Sequence, residues 1–173
     1  LFPYTTLFRS LNTFSYSEAF QMGQHGFLSN KAIQRLSLFG QDAKTLENKI
    51  YQAKQQVEKD YSYFLPQGLK IYAEIWETDL EREIEKLIFK VKTGEHEGKP
   101  IQNISGYFYK MMVHFWKMVL LIETEQDFIA LSNQSKYVKE DPEECPSLIR
   151  YYYPDKLSEQ KLDQYLSALR MER

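Results

Sequence analysis

The feature that most constrains the fold is the apolar run at residues 103–122, NISGYFYKMMVHFWKMVLLI. It is too long, and too rich in methionine and aromatic side chains, to be a typical strand, so it predicts a helix. After Gly106 only Lys110, His114 and Lys117 interrupt it, and their spacing of i, i+4 and i+7 places them on one face. A helix with a narrow polar stripe and a wide apolar surround is typical of the centre of a helical bundle.

The polar stripe formed by Lys110, His114 and Lys117 has two interpretations. The three side chains can face a bound anion, or they can face water and the acidic residues of a neighbouring helix, and the sequence favours the second. The stripe also argues against a membrane span, because two lysines and a histidine are costly inside hydrocarbon. Since the sequence shows no signal peptide, we expect a cytoplasmic protein without a membrane partner.

Amphipathic helices are predicted before this run. Ser29 is a favourable N-cap for a first helix that reaches about Leu38, and Asp42 can cap a second helix that reaches about Tyr61. The inner face of the second helix consists of apolar residues spaced by three or four positions: Leu46, Ile50, Ala53, Val57 and Tyr61.

The third helix is predicted to begin with a capping box, in which Thr78 and Glu81 each satisfy an exposed amide, and to stop at Gly94. Its buried face consists of Leu80, Ile84, Leu87, Ile88 and Val91. Ser158 caps the last helix. The inner face of that helix consists of Leu162, Tyr165, Leu166 and Leu169. No alternating strand pattern occurs, so the chain is predicted to be all-α, an irregular multi-helix bundle around a central helix at about 103–122.

The domain organisation depends on how the first residues are interpreted. Residues 1–10, LFPYTTLFRS, resemble the translation of a sequencing-library adapter and are set aside as an artefact. Because no initiator methionine is present, we expect residues 11–173 to form a single helical domain, the C-terminal part of a truncated longer protein. Without Arg9 the formal net charge changes from −2 to −3, so the chain is neither a polycation nor an acidic tail.

The sequence contains no constellation that supports catalysis or metal binding. His25, His96 and His114 have no metal-ligand spacing, and Cys145 is the only cysteine, which excludes a disulfide framework. A glycine-rich phosphate loop and a nucleophile elbow are also missing. We therefore expect no enzyme activity, no metal and no cofactor.

Residues 29–50, SNKAIQRLSLFGQDAKTLENKI, have the outline of a helix-turn-helix, whose second helix would enter the major groove. Residues 31–59 hold six basic and three acidic residues, a local charge of +3, whereas residues 123–144 carry −5. The candidate DNA-binding residues are Lys31, Arg35, Lys44, Thr45, Asn48 and Lys49. Replacing the four basic ones with Gln is expected to leave the fold intact, because none lies on the apolar stripe. A plain pair of helices with solvated faces is the commoner explanation of the same pattern, so both interpretations stay open.

Residues 83–92 (EIEKLIFKVK), a polar loop, and residues 101–110 (IQNISGYFYK) resemble the C-terminal half of a family of firmicute helix-turn-helix proteins. These proteins are found on plasmids and mobile elements and are often described as replication initiators. In that family an EI-x-x-AI-x-x-x-K helix precedes the motif Asn-Pro-x-Gly-Tyr-Phe. The matching residues are Asn103, Gly106, Tyr107 and Phe108, whereas Ile104 stands where the family has proline. The resemblance covers roughly residues 31–118 and implies that a winged DNA-binding domain lies N-terminal to this region.

The sequence therefore predicts a non-catalytic DNA-associated protein of a bacterial plasmid or mobile element, of the replication-initiator or helix-turn-helix regulator type. Its DNA partner would be held mainly by the missing N-terminal domain. The alternative is a helical protein–protein interaction module of a phage or plasmid protein that does not bind DNA. Protein partners and self-association are compatible with both.

Overall fold

The computed structural model describes residues 26–62, 71, 73–125 and 147–171. Within these ranges the chain forms six α-helices and no strand, which confirms the all-α prediction. The α-helices are α1 (Asn30–Ser37), α2 (Ala43–Asp60), α3 (Glu77–His96), α4 (Ile104–Glu125), α5 (Leu148–Tyr152) and α6 (Glu159–Met171). Two 3₁₀ helices, Gly40–Asp42 and Ala73–Trp76, lead directly into α2 and α3. The predictions for residues 1–10, His25 and Cys145 lie outside the described residues.

Helix α4 lies at the centre of the bundle, as predicted, and packs against α2, α3, α5 and α6, most extensively against α2. Phe108, Phe115 and Trp116 in α4 are almost completely buried. The indole N–H of Trp116 donates a hydrogen bond to the carbonyl oxygen of Ile50 in α2, 3.1 Å away. The rings of Phe115 and Trp116 pack edge-on with centroids 4.9 Å apart. These contacts fix α2 against α4 and so determine which side of α2 faces water.

The predicted inner faces of α2 and α3 are buried, except that Tyr61, which follows the last residue of α2, is only half-buried. The buried members are Leu46, Ile50, Ala53 and Val57 in α2, and Leu80, Ile84, Leu87, Ile88 and Val91 in α3. In α6, Leu162 and Leu166 are buried, but Tyr165 is 42% exposed, so its assignment to the inner face is wrong. A residue next to Leu166 is rotated by about 100° from it, which places Tyr165 away from the buried stripe. The side chain of Leu169, the last member of the predicted face, lies outside the described residues.

The start of α3 differs from the predicted capping box. The helix begins at Glu77, and its N-cap residue is Trp76, which makes no side-chain capping hydrogen bond. Thr78 lies inside the helix because the preceding 3₁₀ helix continues into α3. Glu81 instead accepts a hydrogen bond from the hydroxyl of Ser29, 2.5 Å away. Since Ser29 also caps α1, as predicted, this pair joins the start of α1 to α3.

The end of α3 also differs from the prediction, because the helix continues past Gly94 to His96. Gly94 is required for another reason. A Cβ there would lie 2.7 Å from the carbonyl oxygen of Lys99, whose amide donates to the Gly94 carbonyl at 2.8 Å. The chain turns at Gly98, which has a φ of +70°, a conformation that favours glycine.

The motif that carries the family resemblance forms the start of α4. The Asn103 side-chain oxygen accepts hydrogen bonds from the Gly106 amide at 2.9 Å and from the Ser105 hydroxyl at 3.1 Å. A Cβ on Gly106 would lie 2.7 Å from the side-chain nitrogen of Asn103. Phe108 is buried, whereas Tyr107 is 36% exposed. Three of the four matching residues therefore contribute to the capping or packing of this helix.

Buried Asp79 joins α3 to α5, a link that the sequence pattern does not reveal. Its carboxylate accepts hydrogen bonds from the hydroxyl of Ser147 and from the amide of Leu148, the latter at 3.0 Å. Burial raises the pKa of the Asp79 carboxyl, and these hydrogen bonds oppose the shift without cancelling it. Asp79 thus holds the N-terminus of α5 against the bundle.

Candidate nucleic-acid interface

Helices α1 and α2 form at the positions that the helix-turn-helix interpretation predicts, joined by a turn through Gly40, which has a φ of +59°. Phe39 in this turn is 4% exposed and anchors it in the core. Asp42 stands at the N-cap of α2, but its side chain makes no capping hydrogen bond, so the bond expected there is absent. This order of elements is compatible with a helix-turn-helix and with a plain pair of helices.

The two basic residues of α1 have different surroundings. Lys31 is exposed and has no ion-pair partner among the residues that the structure describes. Arg35 is directed at α3, where its guanidinium lies 2.5 Å from the carboxylate of Glu85. Arg35 also donates to the carbonyl oxygen of Lys31 at 3.3 Å. The Arg35 charge is therefore engaged within the protein, whereas the Lys31 charge faces water.

Lys44, at the start of α2, balances an internal carboxylate. Its ammonium nitrogen lies 2.7 Å from Glu47, a residue that is 1% exposed. Burial raises the pKa of the Glu47 carboxyl, and the hydrogen bond and charge of Lys44 oppose that shift. Burial, with the Glu47 charge as a second cause, raises the pKa of Tyr51 to about 12. Lys44 thus has a structural partner that the sequence interpretation did not include.

The remaining three candidates place a hydroxyl, an amide and an ammonium group side by side on α2. Thr45 and Asn48 are exposed. Lys49 is half-buried, donates to the side-chain oxygen of Gln52 at 3.3 Å, and lies 5.7 Å from the ring centroid of Tyr109 in α4. These side chains can donate hydrogen bonds to an external ligand, and the first two can also accept them.

The water-facing side of α2 carries no acidic residue at any exposed position from Lys44 to Lys59. The exposed residues of this range are Lys44, Thr45, Asn48, Gln52, Gln55, Gln56 and Lys59. Of the two acids within the range, Glu47 is buried, and Glu58 forms an ion pair with Lys54 at 2.7 Å, in which both side chains are largely buried. The sequence interpretation gives candidate residues only as far as Lys49 and includes none of the glutamines. What it missed is the absence of Asp and Glu from every exposed position between Lys44 and Lys59, a stretch that the exposed acids Asp42 and Asp60 flank.

The polar stripe of α4 mostly faces α6. The Nδ1 atom of His114 lies 2.6 Å from the carboxylate of Glu159, and the Lys117 ammonium lies 2.9 Å from Asp163. Burial lowers the pKa of Lys117, but the hydrogen bond to Asp163 and the charges of Tyr61, Asp163 and Glu159 together outweigh it, so that the net shift is upward. Lys110 is exposed. Two of the three stripe residues thus have carboxylate partners on a neighbouring helix, which is the second of the two interpretations given above.

Comparisons with protein-family models, with curated proteins and with solved structures gave no match. In the described ranges, no group of three or more His, Cys, Asp or Glu side chains is placed to hold a metal ion. Nor does any helix in these ranges have the length and apolarity needed to cross a membrane.

Proposed function

We propose that this chain is a non-catalytic DNA-binding protein whose α1–α2 unit contacts duplex DNA through the water-facing side of α2. The observation that supports this most is the absence of acidic residues from every exposed position between Lys44 and Lys59, in a chain whose net charge is −2. An ordinary solvated helix interleaves charges of both signs. DNA is a polyanion, and a surface that contacts it gains affinity from cations and loses affinity from acids.

The residue types on this surface suit both kinds of DNA contact, those with base edges and those with phosphates. The Asn48 amide can bond to a base edge in the major groove, and the Thr45 hydroxyl can bond to a base or a phosphate. Lys31 and Lys49 would contact phosphates. Helix α2 has 18 residues and is about 27 Å long. Because the major groove is only about 12 Å wide, we assign the N-terminal half of α2 to the groove.

The resemblance of residues 31–118 to firmicute plasmid proteins extends this proposal. It favours a cytoplasmic protein of a bacterial plasmid or mobile element, of the replication-initiator or regulator type. In that family the winged DNA-binding domain lies N-terminal to the region that resembles this chain. The α1–α2 surface would then supply an auxiliary contact with DNA beside the main reading domain.

The test is the salt dependence of duplex binding, measured by fluorescence anisotropy on the full chain. The double variant Lys31→Gln, Lys49→Gln removes two cations that have no ion-pair partner among the described residues. We expect the log–log slope of affinity against salt to flatten by about 1.8, since each phosphate contact contributes about 0.9. The control variant Lys90→Gln, Lys99→Gln removes two exposed lysines from α3 and the loop after it. If the two double variants have equal log–log slopes of affinity against salt, α1–α2 is not a DNA-binding surface.

The second candidate function is a helical protein-binding module, and Phe89 is the observation that favours it. Its ring is 66% exposed on α3, and apolar rings of this size contribute strongly to protein interfaces when they become buried. In this case Phe89→Ser would reduce self-association or partner binding in sedimentation velocity experiments. The same substitution would leave the salt dependence of duplex binding unchanged, because Phe89 does not lie on α1 or α2.

A further inference from the structure

A surface groove with a volume of about 440 Å³ lies along the C-terminal half of α2. It is lined by Lys49, Gln52, Gln55, Gln56, Lys59 and Tyr109. None of these residues is acidic. Gln52, Gln55, Gln56 and Lys59 belong to the same acid-free side of α2, but of the groove residues only Lys49 is assigned above to a duplex contact. The groove is shallow and largely open to solvent, so it can hold an extended ligand along the helix but does not enclose a compact one. The groove is therefore a second candidate site, and its lining defines the class of ligand.

The charges of the groove suit an extended anion better than a compact one. Lys49 and Lys59 are ten positions apart on a straight helix, which separates them by about 15 Å along its axis. A small anion such as free phosphate cannot bridge this distance, whereas a polymer with a charge on each unit can. At about 3.4 Å per stacked nucleotide, 15 Å corresponds to roughly four nucleotides of one strand.

The uncharged members of the groove suit a nucleic-acid strand whose bases are unpaired. Tyr109 presents an aromatic ring at the Lys49 end, and base–aromatic stacking holds single strands without regard to sequence. The three glutamine amides can donate to and accept from base edges. Gln56 also donates to Asp60 at 2.7 Å, so this carboxylate marks the end of the acid-free surface. Bases inside a duplex are stacked on one another, so their faces are covered and cannot stack on Tyr109.

We propose that this groove binds a single strand of nucleic acid, with Lys49 and Lys59 on its phosphates and one base stacked on Tyr109. The proposal goes beyond duplex binding and does not depend on it. Of the side chains assigned to the two ligands only Lys49 is shared, so substitutions at Lys59 and Tyr109 change the groove without changing a side chain assigned to the duplex.

The experiment uses the full chain and a fluorescein-labelled oligo(dT) of about twelve nucleotides, within the usual site sizes of single-strand binders. We expect Tyr109→Leu to weaken binding by roughly 5- to 150-fold, the equivalent of about 1–3 kcal/mol per stacked base. Tyr109→Phe, which keeps the ring, should bind as the wild type does. Lys59→Gln should flatten the log–log salt slope by about 0.7. The matched control Lys90→Gln should not change it.

A second variant keeps the test decisive if Tyr109→Leu lowers the melting temperature, because Tyr109 also packs against the core. Gln55→Glu changes only the charge of an exposed groove residue and should weaken oligo(dT) binding. The proposal is overturned if the wild type does not bind oligo(dT) at low salt, or if Gln55→Glu and Lys59→Gln bind it as the wild type does. The proposal is also overturned if polyglutamate displaces the labelled oligo(dT) as efficiently as unlabelled oligo(dT) does, because base stacking would then contribute nothing to affinity.

A labelled hairpin duplex, measured in parallel, separates the groove from the proposed function. Weaker oligo(dT) binding with a flatter salt slope in Lys59→Gln, with duplex binding unchanged, supports the groove and locates the two ligands on different parts of α2. If the wild type binds oligo(dT) but no duplex, the proposed function fails and the groove proposal stands.

Discussion

The ammonium nitrogen of Lys44 lies 2.7 Å from the carboxylate of Glu47, whose side chain is 1% exposed. Lys44 is therefore required by the fold as well as available to a ligand, and the expectation that all four basic residues can be replaced without cost needs revision. We predict that Lys44→Gln lowers the free energy of unfolding by about 1–2 kcal/mol, less than for a fully buried pair because Lys44 itself is mostly exposed. Urea denaturation measures this loss. Lys59→Gln, on the same helix, should change stability by less than about 0.5 kcal/mol, and equal effects of the two substitutions would refute the structural role of Lys44.

Asp79 should make stability depend on pH. Its folded pKa is raised above the ordinary value of 3.8 by burial, so the folded state binds the proton more tightly than the unfolded state. Stability conferred by this group therefore rises as pH falls from the raised folded pKa towards 3.8, and it is lost again as pH rises.

The measurement for Asp79 compares the free energy of unfolding of wild type and Asp79→Asn across acidic and neutral pH. We predict that the free energy of unfolding of the wild type, relative to that of Asp79→Asn, increases as pH falls from the folded pKa towards 3.8. Above the folded pKa this difference should be constant. A difference that shrinks on acidification would mean that the hydrogen bonds from Ser147 and Leu148 outweigh burial, and that the folded pKa is lowered instead.

The two large aromatic residues in the middle of α4 should respond alike, because neither faces water. Phe115 is 2% exposed and Trp116 is 0% exposed. Each substitution to alanine should cost about 3–5 kcal/mol through lost burial and the cavity left behind. Phe89→Ala, at a 66% exposed position, is the matched control and should cost little. If thermal melting shows no loss for either buried residue, the central position of α4 is wrong.

The contact between Lys117 and Asp163 should help to hold α6 against α4. Because Asp163 is 53% exposed, a double-mutant cycle with Lys117→Met and Asp163→Asn should give a coupling energy of only about 0.2–1 kcal/mol, decreasing with salt. A coupling of zero, together with stabilisation of the wild type by added phosphate, would instead assign Lys117 to an anion site.

The helices and their buried faces were predictable because they depend on local periodicity. The apolar run at 103–122 and the stripe from Leu46 to Val57 follow the helical repeat, whatever lies opposite them. The partners of polar side chains were not predictable in this way. Glu81 bonds to Ser29, 52 positions away, and Asp79 bonds to Ser147, 68 positions away, so only the packing of whole helices brings them together.

The candidate interface shows the same division between local and long-range information. The exposure of Lys31, Thr45 and Asn48 follows from the same periodicity and was predictable. The ion pair that engages Arg35 involves Glu85 on α3, and the ring beside Lys49 belongs to Tyr109 on α4. No pattern within residues 29–50 contains either neighbour.

The central claim is that the exposed side of α2 contacts DNA, and an isosteric change of charge on that side tests it most directly. Asn48→Asp and Gln160→Glu each add one negative charge at an exposed helical position, the first on α2 and the second on α6. Both variants have the same net charge, so a difference in duplex affinity, measured by fluorescence anisotropy at low salt, reports position alone. We predict that Asn48→Asp binds roughly tenfold more weakly than the wild type, about 1.4 kcal/mol, while Gln160→Glu binds within about twofold of it. Equal affinities of the two variants would contradict the claim.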